Sequence, residues 1–580
     1  MIYRNEYPRP DFVRDNWMSL NGPWKFAFDD DKVGHKQKWF LGKDFDKDIN
    51  VPFAFQTILS GINDPSFHDD MWYQKNIKVP DTMKGKRVLL NFEAVDYFCE
   101  VYVNGQFVGT HTGGQTGFSL DISKYLTWEQ EIVTVFCHDP SEDEYLPRGK
   151  QYWKEKPESI WYNRTSGIWQ SVWLSAVETD YVKSVKITPL YDDGKVEIAL
   201  EVTNVAILPT LVIAGEKVAV DFVKNDDNHL VARYQVFKKQ QDIEMKSWCP
   251  DNPYLFDLVI NYGLDQVKTY FGMRKISAKD GHIYLNNRRY YLKLALDQGY
   301  FKEGLLTPPT TEILKDDILI AKRLGFNGAR KHQKVEDKYY LYYADQLGFL
   351  VWGEMASSIK FSELSAERDM NEWKQVLPRD YNHPCIIAWV PLNESWGVPE
   401  IRTDKQQQQH ALDLYNYIKR YDPTRLVISN DGWELTTTDI CAIHNYRHGA
   451  LDDEVTRKKF RHDLSSKEAI LASTPADKPI YADGYRHQGE PIMLTEFGGI
   501  SLVVDGEGWG YTSVHNAQTL IEEYGRILDD IANSSVLAGY CYTQLYDVEV
   551  EVNGLLTYER KPKVDPKIIK ALNDRFPDYY

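Results

Sequence analysis

Residues 391–397 read PLNESWG and follow the apolar run CIIAWV at 385–390. A run of that length suits a strand buried on both faces of a parallel sheet. It ends in an amide beside a carboxylate, Asn393 and Glu394. Burying an ionisable group without a partner is costly, so Glu394 is paired, solvated at the sheet edge, or held there for chemistry. A second carboxylate, Glu496, closes the run PIMLTEFGG. Two carboxyl groups facing each other across a pocket are the equipment of glycoside hydrolysis, one as acid and one as base or nucleophile. Glu354 ends FLVWGE, and Asn430-Asp431 and His444-Asn445-Tyr446 end two further runs. A purely structural role, for Glu354 above all, and Mg²⁺ or Mn²⁺ bound by the carboxylates with His444 are the competing readings, although no compact ligand spacing is present.

Such residues must be carried by elements that bring them to one place. From 1 to about 180 short β-type runs alternate with turn signals, among them RVLLNFEAV, IVTVFCHD and a hairpin-type Asn104-Gly105, which predicts an all-β sandwich of jelly-roll type. Residues 181–272 alternate in the same way (KVEIALEV, VKNDDNHLVARYQVF, FDLVINYG) over the size of one immunoglobulin-like sandwich. After 273, helical spacing such as TTEILKDDILIAKRLGF interleaves with short apolar strands, which over 273–580 suits a (β/α)₈ barrel. In a barrel the strand C-termini form one face, so Glu354, Glu394, Asp431, His444 and Glu496 converge there.

The 580 residues exceed one core, and Lys+Arg 68 against Asp+Glu 85 leaves −17 with no basic block, which disfavours nucleic acid and anionic membrane as partners. Sixteen Trp and 38 Tyr supply the flat, half-polar surfaces that sugar sites use, and β-domains use them too. MIYRNEYPRPDF has no apolar signal segment, and no later stretch matches a membrane span, so a soluble cytoplasmic protein is expected. Six scattered cysteines without a CxxC pair fit free thiols in a reducing compartment. No HExxH, GxxxxGK[ST] or GxGxxG is present, which removes zincins, P-loop NTPases and simple dinucleotide binders.

HPCIIAWVPLNESWG, followed about a hundred residues later by MLTEFGG, resembles glycoside hydrolase family 2, the β-galactosidase, β-glucuronidase and β-mannosidase group. LNGPWKF, FEAVDYFCEVYVNGQFVGTHTGGQTGF, LPRGKQYW and SGIWQSVWL resemble its sugar-binding jelly roll. WCPDNPYLF and FGMRKI resemble the end of its immunoglobulin-like domain and the start of its barrel. The resemblance implies that Glu394 is the acid/base, Glu496 the nucleophile, Asn393 the amide bonded to the sugar 2-hydroxyl, and Tyr446 the support of the nucleophile. No cofactor is implied as a requirement, although some members use Mg²⁺, and the partner is a carbohydrate, with a homo-oligomer open.

The departures bear on the glycone. Where the family has Arg-x-Ser-His-Tyr-Pro, this chain has Arg330-Lys331-His332-Gln333-Lys334-Val335, and Asp297-Gln298-Gly299-Tyr300 replaces Arg-Gly-x-Asn. Glucuronide-cleaving members resemble one another in an Asn-x-Lys pair, and those positions hold Glu551 and Asn553 here. Arg330, His332, His444, Glu354, Asp297, Glu551 and Asn553 are therefore expected to line the sugar pocket, with Trp433, Trp509 and Tyr542 as stacking walls. Lys293, Lys331 and Lys334 are candidates for a differently placed carboxylate. A retaining, exo-acting β-glycosidase with a galactose-like glycone is expected. The alternatives are a galacturonide, a furanoside (galactofuranose or arabinofuranose), or a non-catalytic carbohydrate-binding relative.

Overall fold

The computed structural model describes residues 3–503 and 508–580. In its N-terminal third a four-stranded sheet (Trp17–Ser19, Val172–Val177, Arg87–Phe92, Phe118–Asp121) faces a six-stranded one running from Lys47–Val51 to Gln106–Thr112. Inward residues of both sheets, Trp24, Phe26, Leu90, Val101, Val135 and Leu174, interlock as one apolar core. The Asn104-Gly105 turn pairs Val103 with Gln106, and both turn residues take positive φ, 52° and 72°, the handedness a two-residue hairpin needs.

Two four-stranded sheets follow, Val182–Leu190, Lys195–Val202, His229–Gln235 and Val223–Lys224 against Glu216–Val218, Thr210–Ile213, Phe256–Tyr262 and Asp265–Phe271. In Lys195–Val202 every second residue is buried, as one-sided packing requires. VKNDDNHLVARYQVF is not one strand: Asp226 accepts the N–H groups of Asn228 and His229, and the turn splits the run. A short helix, Gln240–Lys246, is inserted beyond the alternating pattern.

The remainder is an eight-stranded, all-parallel barrel sheet: β1 (Leu292–Asp297), β2 (Gly328–Lys331), β3 (Leu350–Glu354), β4 (Ile386–Val390), β5 (Leu426–Val427), β6 (Cys441–His444), β7 (Ile492–Gly498) and β8 (Leu537–Thr543). The hydrogen-bonded order is β5-β4-β3-β2-β1-β8-β7-β6. The apolar run before Glu394 is buried along its whole length, so β4 is covered on both faces. Helices such as Thr311–Arg323, Lys338–Leu347 and Glu363–Asp380 ring the sheet. Asp337 caps Lys338–Leu347 by accepting the N–H of Tyr339, and Gly348 ends it at φ +65°.

The jelly roll is docked onto the mouth of this barrel. Gly114 N–H donates to Glu372 of helix Glu363–Asp380 at 2.7 Å, and Gly149 N–H donates to the carbonyl of Ser357 at 3.0 Å. All six cysteines are free thiols. No helix among the described residues is long and apolar enough to cross a membrane.

Candidate active site

Arg330, at the end of β2, has no solvent exposure and reaches four strand ends. Its Nε lies 2.7 Å from Glu354 and 3.2 Å from Asp431, its Nη1 2.8 Å from Glu496, and its Nη2 2.6 Å from the side-chain oxygen of Asn393. A buried guanidinium is tolerable only with such partners. Arg330 in turn fixes Glu354 of β3, Asp431 after β5 and Glu496 of β7 in one layer.

Glu496 also accepts from Tyr446 at 2.6 Å, and Tyr446 lies 2.9 Å from the Thr543 hydroxyl. Burial alone would raise the Glu496 carboxyl, but His444 and Arg330 pull it down to about 2, so it is an anion at neutral pH. Burial and the Glu496 charge hold the Tyr446 phenol well above its usual range, so it donates.

Glu394 sits in a different backbone setting. It and Ser395 take φ 52° and 61°, sparsely populated for residues with a Cβ. The turn is held because Glu394 N–H donates to the Asp431 carbonyl and Ser395 N–H to Asn430, both at 2.9 Å, while the Ser395 hydroxyl donates to Glu434 at 2.6 Å. The result aims the Glu394 carboxylate back over the barrel.

There it meets His444, whose Nδ1 is 2.8 Å from Glu394 and 3.4 Å from Glu496, with Nε2 3.0 Å from Asp431. Burial opposes charge on this ring, yet Glu496, Asp431 and Glu394 together raise it to about 10. His444 is therefore an imidazolium between carboxylates. The donor atoms of Glu394, His444 and Glu496 all lie within 4.8 Å of one another, close enough to suggest a cation site. Arg330 already sets a positive charge 2.8 Å from Glu496, one of the three.

Other expected residues stand around this layer. Burial pushes the Glu354 carboxyl up to about 7 against the pull of Arg330, and His332 Nδ1 is 3.1 Å from it. Burial and Arg330 keep His332 neutral. Trp433 is half-buried with its ring edge-on to His444, and Trp509 is half-buried, edge-on to Tyr511, which stacks on Tyr446 at 3.5 Å. Glu551 accepts from Tyr162 of the jelly roll and from Asn553 at 3.0 Å, and Asn553 accepts from Gln544 at 2.7 Å.

Three expectations are corrected. Tyr542 is no stacking wall: it is fully buried between Phe497 and Tyr524. Asp297 is not free for a sugar hydroxyl, because it is held by Lys331 at 2.7 Å, Gly299 N–H and the Tyr546 hydroxyl. Lys293, Lys331 and Lys334 are not available to a ligand carboxylate, being paired with Asp578, with Asp297 and Glu336, and with Glu336. Residue-type reasoning assigned no role to Tyr511, Tyr162 or Lys150. Only LPRGKQYW carried a usable signal, a glycine next to a lysine in a loop.

Two sandwiches precede a barrel with acidic residues gathered at its strand C-termini, and this chain belongs to glycosyl hydrolase family 2. Residues 17–177 match "Glycosyl hydrolases family 2, sugar binding domain", 180–274 "Glycosyl hydrolases family 2", and 276–576 "Glycosyl hydrolases family 2, TIM barrel domain". It is 27% identical over 414 residues to a β-galactosidase of Thermoanaerobacter pseudethanolicus, covering 68% of this chain and 52% of that protein. A β-glucuronidase of Streptococcus agalactiae is 22% identical, with 97% of each chain covered. The chain spans about half the length of the β-galactosidases it matches first. Among solved structures, a Bifidobacterium dentium β-glucuronidase complexed with coumarin-3-O-glucuronide superposes with a TM-score of 0.79 at 19% identity, covering 99% of both chains. A GH2 β-galacturonidase from Eisenbergiella tayi bound to glycerol gives 0.74 at 17%, covering 100% and 99%.

Proposed function

We propose that the protein is a retaining, exo-acting β-glycosidase that removes a terminal neutral sugar of galactose type by double displacement. The observation that carries this is the spacing of Glu394 and Glu496, whose donor oxygens lie within 4.8 Å. Retaining enzymes hold the two carboxyl groups about 5–5.5 Å apart, whereas inverting ones leave about 6.5–9.5 Å for a water.

In the first step Glu496, kept anionic by His444, Arg330 and Tyr446, attacks the anomeric carbon. The bond to the departing oxygen breaks as Glu394 gives that oxygen its proton. In the second step Glu394 takes a proton from water, the hydroxide adds to the anomeric carbon, and Glu496 leaves as a carboxylate. Asn393, its oxygen bound to Arg330, has its amide N–H₂ available for the sugar 2-hydroxyl. The exo reading is supported by the jelly-roll loop over the mouth, where Trp161 packs edge-on to Trp396, two residues after Glu394. A neutral glycone is supported by Glu551 and Asn553 at the Asn-x-Lys positions, where a neutral amide replaces the cation and a carboxyl group is added.

The test is covalent trapping. An activated 2-deoxy-2-fluoro glycoside slows both steps but lets the intermediate form faster than it decays. Intact-protein mass and peptide mapping should find one label, on Glu496. Label on another residue, or inverted product, refutes the reading.

A further inference from the structure

Five lysines are buried among the described residues, Lys150, Lys293, Lys331, Lys334 and Lys338. Four of them have carboxylate partners. Lys150, only 7% exposed, is different: among the described residues its ammonium has no carboxylate within 4.0 Å and no hydrogen-bond acceptor. Its ammonium lies over the face of Trp161, 5.4 Å from the ring centroid. An ammonium that meets an aromatic face and no carboxylate among the described residues can serve a ligand.

The loop bearing it is fastened to the barrel mouth. Gly149 donates to the Ser357 carbonyl, and a Cβ at Gly149 would lie 2.4 Å from the carbonyl oxygen of Gln333. With φ +58° as well, only glycine fits, and this approach carries Lys150 in beside the end of β2. Gln333, which stands where the family has a histidine, has its side-chain nitrogen buried and without an acceptor among the described residues.

Tyr162 links this lysine to a carboxylate. Its N–H donates to the Lys150 carbonyl at 2.9 Å, and its hydroxyl donates to Glu551. Tyr162 therefore ties the two residues together, while the ammonium and the Glu551 carboxyl group lie more than 4.0 Å apart. A donor and an acceptor held apart in one pocket fit a group that both accepts and donates.

We propose that Lys150 and Glu551 form a two-sided clamp on the distal hydroxyls of a neutral glycone, the ammonium donating to a sugar oxygen and the carboxylate accepting a hydroxyl proton. A sugar carboxylate satisfies the lysine but has no proton for Glu551. This deepens the glycosidase reading above and rests on it.

The experiment compares the full-length enzyme with Lys150→Met, Lys150→Arg, Glu551→Gln and the Met/Gln double variant. The probes are 4-nitrophenyl β-D-galactopyranoside, β-D-galactofuranoside, α-L-arabinofuranoside and β-D-galacturonide, with kcat/KM taken on whichever the unmodified enzyme cleaves best. That substrate should be neutral. Lys150→Met and Glu551→Gln should each lower its kcat/KM by about 30-fold or more, as expected for a lost charge-assisted hydrogen bond. The double variant should lose less than the product of the two, because both groups hold one ligand. Lys150→Arg should recover part of the loss. A preference for the galacturonide, or a Lys150→Met or Glu551→Gln value within threefold of the unmodified enzyme, overturns the clamp. If one variant does not fold, the other decides by the same threshold. Labelling of Glu496 by the fluoro glycoside, run in parallel on the unmodified enzyme, separates failure of the clamp from failure of the glycosidase reading.

Discussion

The imidazole Nδ1 of His444 stands 2.8 Å from Oε1 of Glu394. Because the same ring is 3.4 Å from Glu496, one positive charge stands between the two carboxyl groups proposed for catalysis. Its loss must change the ionisation of Glu496.

His444→Asn should move the acid limb of the kcat/KM profile upward. The Glu496 carboxyl, depressed to about 2, stays ionised until the pH falls through that value. Without the imidazolium, burial regains ground and the carboxyl protonates at higher pH. A shift of about one unit or more is expected. In the unmodified enzyme, the raised His444 value predicts that the imidazolium is lost as pH rises through about 10, with activity changing there. An acid limb at the same pH in the two proteins would count against His444 as the source of the depression.

Glu394→Ala should cost a poor leaving group about 10²–10⁴-fold, and an activated aryl glycoside far less, since only the former needs a proton at the departing oxygen. Azide should restore turnover of the activated substrate and yield the β-glycosyl azide, the product of two inversions. The α-azide would mean that the roles of Glu394 and Glu496 are exchanged.

Arg330→Met should destabilise the barrel by about 3–5 kcal/mol, because Glu354, Asp431 and Glu496 would keep their burial and lose their shared counter-charge. Chemical denaturation at neutral pH measures this. A loss under 1 kcal/mol would show that the three carboxylates are neutralised by another route.

Glu372→Gln should stabilise the protein more at pH 8 than at pH 5. Burial at the jelly-roll interface pushes this carboxyl up to about 8. Between the ordinary carboxylate value and 8 the folded state holds a proton that the unfolded state has lost, so stability falls as pH rises through that window. Glutamine mimics the protonated form and keeps an acceptor for Gly114 N–H. The difference between variant and parent should reach a few kcal/mol, on the order set by a shift of several pH units. Equal differences at both pH values would refute it.

Much of this protein is written locally. The alternation of KVEIALEV, the Asn-Gly hairpin and the unbroken CIIAWV run identify their strands because side-chain period and turn geometry act over a few residues. Glu394 and Glu496 were legible for the same reason: a carboxylate at the end of an apolar run has few structural uses. Tertiary structure decided what periodicity leaves open. On β8, Tyr542 and Thr543 point to opposite faces, and the register against β7 turns Thr543 toward Tyr446 and buries Tyr542. Asp297 ends a strand as Glu354 does, yet Lys331 claims it. Arg330 acquires partners from four strands, and Lys150 arrives from another domain through a single close glycine contact. Those are long-range electrostatic and packing choices, made only when distant segments exclude water together, so no stretch of sequence carries them alone.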